Sequence, residues 1–152
     1  MNDYDIYSRV ITRSVDHIFK NFLQDSSIQE VYETQSKEKD PQVAIEIDGS
    51  LKGEIIINIP TNTLNHITKK FIGSNNQKII KKSHPDVAGE LANLITGTIA
   101  NQLQFTNHHL KLSPPEYNNE SIIMKALYEN INLSFISSYG GFDIDFYYKP
   151  NN

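Results

Sequence analysis

The chain contains no cysteine, so disulfides, thiolate catalysis and cysteine-bound zinc are excluded outright. It has no surplus of positive charge. Against 18 Asp and Glu stand 14 Lys and Arg, for a net charge of −4 and an isoelectric point near 5.7, so a grip on phosphate backbones is disfavoured and no nucleic-acid partner is expected. No uninterrupted apolar run approaches the roughly 20 residues that cross a bilayer. The longest candidates are Ile55 to Ile57 and their neighbours, and the expected chain is soluble, with no membrane partner. A leader segment is not expected either, because Met1 to Tyr7 carries two aspartates and the apolar residues that follow are interrupted by Arg9, Arg13 and Asp16, which leaves a cytoplasmic location. There is also no GxGxxG or Walker-type run, so nucleotide-phosphate cradling has no sequence support.

What is present suffices for one domain over residues 1–152. At this length a core buries about 70% of the surface the unfolded chain exposes, and with 38% hydrophobic and 21% charged residues the composition is that of a folded chain. Ile6, Val10, Ile11, Val15, Ile18, Phe19, Phe22 and Leu23 recur at spacings of three and four, the stripe of an amphipathic helix over 4–23. A short β-like stretch, Ile28 to Thr34, leads into a polar loop, Gln35 to Asp40, closed by Pro41. Val43, Ile45 and Ile47 alternate with polar or small residues, Gly49-Ser50 punctuates, and Gly53 to Ile59 follows, which predicts an antiparallel hairpin. Pro60 and Thr61 open a short helix that Gly73 closes, and a polar, lysine-bearing loop is expected from there to Ser83.

The next helix is predicted from about Pro85 to Gln104, with Ser83 and Asp86 spaced as a capping box and Pro85 in its first turn. Four β-like runs follow, Leu110–Leu112, Ser121–Leu127, Ile131–Ser137 and Phe142–Tyr148, and are expected to form a meander. Helices and antiparallel strands in separate blocks indicate an α+β fold, an antiparallel sheet of about six strands packed with about three helices.

On that long helix Val87, Leu91, Leu94, Ile95, Thr98 and Ile99 form one broad core face. Asp86, Glu90, Asn93, Gly97 and Asn101 fall on a separate polar stripe. Gly89, Ala92, Thr96 and Ala100 make a third, small-residue strip, expected to receive the first helix. A Glu and an Asn three apart mean nothing by themselves, since Glu116/Asn119 and Glu129/Asn132 share the spacing. Those pairs lie in a Pro-Pro loop and across a strand, and only Glu90 and Asn93 share one helical face.

The wider string, Asp86-Val87-Ala88-Gly89-Glu90-Leu91-Ala92-Asn93-Leu94-Ile95-Thr96-Gly97, closely resembles the motif of the CheC/CheX/FliY chemotaxis phosphatases: an Asp or Ser, three residues, Glu, two residues, Asn, then a Gly four later. In that family a proline follows a little over twenty residues after the Asn, and Pro114 and Pro115 stand at that distance. The resemblance is strong only across Asp86 to Pro115. Members of the CheC type carry the motif twice, once in the first helix, where this chain has no Glu-x-x-Asn; one site implies the CheX branch, an α+β domain that pairs into a homodimer through its sheet.

The resemblance implies a phosphatase acting on the aspartyl phosphate of a CheY-type response regulator, a partner that brings its own Mg²⁺ and lysine. No cofactor of its own is then expected here. Asn93 is implied to orient the attacking water, since an amide accepts and donates hydrogen bonds but is no base. Glu90 is implied to meet the partner's lysine as an ion pair. Asp86 either joins the same partner-binding face or caps the helix, capping being preferred, and Gly97 leaves room for a close approach. The alternative is a non-catalytic binding module of the same fold that docks a response regulator or a flagellar-switch component.

Other signals carry less. His17, His66 and His84 have no partner at a chelating offset, and His108-His109 point to opposite faces if extended, so no metal site is expected. Asp143 and Asp145 alternate with Phe142, Ile144 and Phe146, the pattern of the exposed face of a half-buried strand. Lys78, Lys81 and Lys82 precede the motif and could steer an acidic partner pocket or be a solvated loop.

Overall fold

The structure, a computed structural model, describes residues 2–105, 108–118 and 125–149. Helix α1, Asp3–Asn21, starts where Asn2 turns its side-chain oxygen onto the Asp5 amide at 2.9 Å, satisfying a donor the first turn leaves free. Its stripe of Val10, Ile11, Val15, Ile18 and Phe19 is buried; Phe22, past the last turn, is exposed. Helix α2 is Thr61–Ile72, and Gly73 ends it in the left-handed region at φ 63°, which glycine enters without a Cβ penalty.

Helix α3 runs Gln77–Gln104 and begins eight residues before the expected Pro85. Asn76, not Ser83, is the cap: its side chain accepts from the amides of Lys78 and Ile79. Pro85 therefore lies inside the helix, where it offers no N–H to the Lys81 carbonyl at a cost of about 3 kcal/mol. Burial of Ile80, fully inaccessible, and a 2.6 Å hydrogen bond between His84 and Asn65 of α2 offset that cost. The lysine-bearing loop is thus helix, and Lys78, Lys81 and Lys82 ride exposed on its first turns. His84 lies inside α3 and is buried between α2 and α3.

Among the described residues the strands are β1 (Gln29–Val31), β2 (Gln42–Gly49), β3 (Gly53–Asn58), β4 (Leu110–Leu112), β5 (Glu116–Tyr117), β6 (Glu129–Ser137) and β7 (Gly140–Tyr148). They form one antiparallel sheet in the order β1-β6-β7-β3-β2-β4, with β5 also on β2. The β2/β3 hairpin has the expected in-face pairs, Val43 with Ile57 and Ile45 with Ile55. The expected meander is not formed: only β6 and β7 are neighbours, while β4 crosses to β2 at the opposite edge. Of the run Ser121–Leu127, residues 121–124 lie outside the described residues and Lys125–Leu127 is a 3₁₀ turn.

All three helices cover one face of the sheet, and residues from each share a single core with Val43, Ile57, Leu133, Phe142, Ile144 and Phe146. Asp143, expected to be exposed, is 1% accessible. Its carboxylate accepts from the amides of Gln35 at 3.0 Å and Ser36 at 2.7 Å and from the Ser36 hydroxyl, so the 35–40 loop closes over the strand. Asp145 accepts from Asn58 at 3.0 Å and Asn132 at 2.7 Å. Both carboxylates hold the sheet face together, Asp143 as a buried, hydrogen-bonded acid and Asp145 as a half-buried one.

Burial, with a lesser contribution from Lys81, pushes His84 below its ordinary 6.5. The unfolded chain then takes up this proton at a higher pH than the folded one, so the stability is fully present above 6.5 and is lost as pH falls through that value. The melting temperature is expected to drop between about pH 7.5 and about pH 5.5, and His84→Gln to flatten that slope. A calorimetric pH series on both proteins checks this; an unchanged slope in the variant contradicts it.

Candidate functional site

The polar stripe of α3 faces outward: Asp86, Glu90, Asn93 and Asn101 are exposed and Gly97 half-exposed. This follows from the opposite side of the helix, where Val87, Leu91, Ile95 and Ile99 are buried, because a period of 3.6 cannot bury both. The small-residue strip is buried as well, although its neighbour at Gly89 is not α1. There the Pro115 ring closes in, and a Cβ added at Gly89 would lie 3.2 Å from Pro115 Cγ.

Two clamps on β2 place that proline. On one side Ser113 exchanges hydrogen bonds with Glu46, its amide donating to the Glu46 carbonyl at 3.0 Å and its hydroxyl accepting from the Glu46 amide at 2.8 Å. On the other, Asn118 does the same with Gln42, through its amide at 2.8 Å and its side-chain oxygen at 2.9 Å. Between them β5 pairs Tyr117 with Val43 and Glu116 with Ala44. Pro114-Pro115 is left as a stiff arch that leans onto α3, since proline has a fixed φ and no amide to pair.

The result is a cleft of about 310 Å³ lined by Asp86, Glu90 and Asn93 from the stripe, Pro85 and Gly89 beside them, and Val43, Pro115 and Tyr117 opposite. Asp86 is ten residues into α3, so the preferred capping role is excluded and its carboxylate belongs to the cleft. Gly97 is one turn beyond the cleft on the same stripe, with nothing within 4 Å of the space its Cβ would fill. Asp86, Glu90 and Asn93 make no side-chain hydrogen bond or ion pair with any described residue.

Two lining residues were not legible in the sequence. Tyr117 sits on a two-residue strand and Val43 reads as ordinary hairpin core. Burial pushes the Tyr117 phenol above its ordinary 10.0, opposed by a hydrogen bond with Asn118, so it stands in the cleft as a neutral hydroxyl. Lys78 and Lys82 lie eight and four residues before Asp86, on the same stripe. Among the described residues no three His, Asp or Glu side chains gather as a metal-binding group.

The contact of Gly89 with Pro115 makes a checkable demand on packing. Gly89→Leu drives its side chain into the arch and is expected to cost about 1–3 kcal/mol, measured by urea denaturation. Gly97→Leu, pointing into open space, is the control and is expected to leave stability unreduced.

No curated protein matches the chain. Its fold is that of chemotaxis protein CheX from Vibrio vulnificus, at a TM-score of 0.78 and 17% identity over 98% of this chain and 100% of that one. A CheC-like superfamily protein from Shewanella sp. PV-4 aligns at 0.76 and 21% identity over 99% and 100% of the two chains. A chain of the CheX-CheY-BeF₃-Mg²⁺ complex from Borrelia burgdorferi aligns at 0.75 and 14% identity over 95% and 98%. At such identities these likenesses establish the fold. The family model described as "Chemotaxis phosphatase CheX" matches residues 41–131, a span that includes the whole polar stripe and both arch prolines. By that match over more than half of its length, the chain belongs to the CheX family.

Proposed function

We propose that the chain dephosphorylates the aspartyl phosphate of a CheY-type response regulator, with the exposed stripe of α3 laid across the regulator's active site. The observation that carries this reading is the pair Glu90 and Asn93, presented together in one cleft with no side-chain partner among the described residues. The family match and the occurrence of the Borrelia burgdorferi protein in a complex with CheY, BeF₃ and Mg²⁺ support the choice of partner. On this reading the magnesium ion is the regulator's, and this chain contributes positioning.

Phosphoryl transfer is governed by alignment and by charge stabilisation at the transferring group. Water oxygen attacks phosphorus, the bond to the aspartyl oxygen breaks, and carboxylate and inorganic phosphate leave, with the water proton passing to phosphate or solvent. The Asn93 carbonyl accepts a hydrogen bond from that water and fixes its line of attack without taking the proton. Glu90, one turn earlier, pairs with the regulator's lysine, an interaction worth about 1.5–7 kcal/mol when desolvated at an interface. Asp86 adds to the same docking face. The gap at Gly97 lets the partner's backbone approach the helix closely.

The deciding experiment follows phosphate loss from phosphorylated CheY-type regulators with wild-type protein, Asn93→Ala and Glu90→Ala. Wild type is expected to accelerate the loss. Asn93→Ala is expected to reduce the acceleration by about a hundredfold while retaining binding, and Glu90→Ala to weaken binding as well. Binding without acceleration by wild type would make the chain a docking module instead.

A homodimer formed through the sheet belongs to the same reading. It is supported by edge strand β1, which among the described residues pairs with β6 alone and is followed by Tyr32 at 104% relative exposure. Native mass spectrometry at micromolar concentration is expected to give twice the chain mass of 17.4 kDa; the single-chain mass would overturn the dimer.

A further inference from the structure

The strand order reads the same from either edge. Edge β1 lies on β6 as β4 and β5 lie on β2, and β7 and β3 meet in the middle. Ile57 and Ile144 face each other there, with Val43 beside the first and Leu133 beside the second. Helix α3 packs on β2 and α1 on β6. A half-turn about the centre of the sheet therefore carries the cleft over Val43 onto a second cleft, over Leu133, with a volume of about 440 Å³.

Its chemistry differs. On α1 the lining positions Ser8, Arg9 and Thr12 have the spacing of Gly89, Glu90 and Asn93 on α3, so an arginine stands where the first cleft has its glutamate. Arg13, four residues on, lies on the same side and also lines the cleft. Neither arginine makes a hydrogen bond or ion pair with any described residue. Of the acids nearby, Asp16 pairs with Lys20 at 3.0 Å, and the Glu30 carboxylate lines the opposite wall of the cleft, where it accepts from the Thr12 hydroxyl at 3.1 Å and pairs with neither arginine. The Ser8 hydroxyl is shielded from solvent with no partner among the described residues, and Tyr4 brings a further phenol.

Two free guanidiniums, a shielded hydroxyl without a partner and a concave volume of ligand size make up a receptor for a planar or tetrahedral oxyanion. We propose that this second cleft binds a small multivalent oxyanion, a carboxylate or a phosphate, gripped by Arg9 and Arg13 and hydrogen-bonded by Ser8 and Tyr4. Arg9 also makes the cleft repel a cationic side chain, so it is a site of different specificity and not a duplicate of the first. The proposal does not rest on the phosphatase reading.

The test is a ¹H–¹⁵N NMR titration of the full chain with citrate and, separately, pyrophosphate, in about 150 mM sodium chloride, where bare surface attraction is screened within about 8 Å. Saturable shifts are expected at residues 8–13 and at Glu30, with the α3 stripe unmoved. The preferred probe tells carboxylate from phosphate. Arg9→Gln and Arg13→Gln, exposed substitutions that leave the fold intact, are each expected to weaken binding about tenfold, and the double variant to abolish it. Non-saturating shifts with both probes, shifts centred on α3, or binding that survives in the double variant would overturn the proposal.

Discussion

Antiparallel pairing of β3 with β7, from Gly53 opposite Tyr148 to Asn58 opposite Asp143, fixes where every other element can go. It joins the two hairpins, β2/β3 and β6/β7, into one sheet and brings Ile57 and Ile144 together under the helices. The approach at its end is close enough to dictate a residue, since a Cβ at Gly53 would fall 2.2 Å from the Tyr147 carbonyl oxygen. A slip of one residue would turn every core side chain of one hairpin toward the open face. Because α1 sits over one hairpin and α3 over the other, this register also sets the distance between the two clefts.

Much of α3 was readable without coordinates, since a strict 3.6-residue pattern leaves one outward stripe and Glu90 and Asn93 are on it. Its beginning was not. Asn76 and Ser83 are both competent caps, and the choice between them is made by contacts far along the chain, the burial of Ile80 and the bond from His84 to Asn65. A proline read locally marks a first turn, whereas here tertiary packing carries the helix through it.

The same distinction between local and distant determinants explains the strands. Both hairpins are written in alternation and turn residues, and both form. The place of β4 and β5 against β2 depends on pairing across some sixty to seventy-five residues, for which single-sequence alternation holds no information. Asp143 is the clearest instance: its alternation with Phe142 and Ile144 correctly puts it on the other face, but the loop that buries it comes from more than a hundred residues earlier. Tyr117 and Val43 enter the cleft for the same reason, through a two-residue strand that no periodicity can announce.

Gly97 bears on how such a surface persists. No described residue occupies the space its side chain would take, and a glycine within a helix forgoes about 1 kcal/mol relative to alanine. Selection for folding alone would close that gap at once, as would any laboratory screen for heat resistance. The domain therefore keeps a small, removable weakness on its exposed polar stripe, and its most accessible route to greater robustness runs through the loss of that clearance.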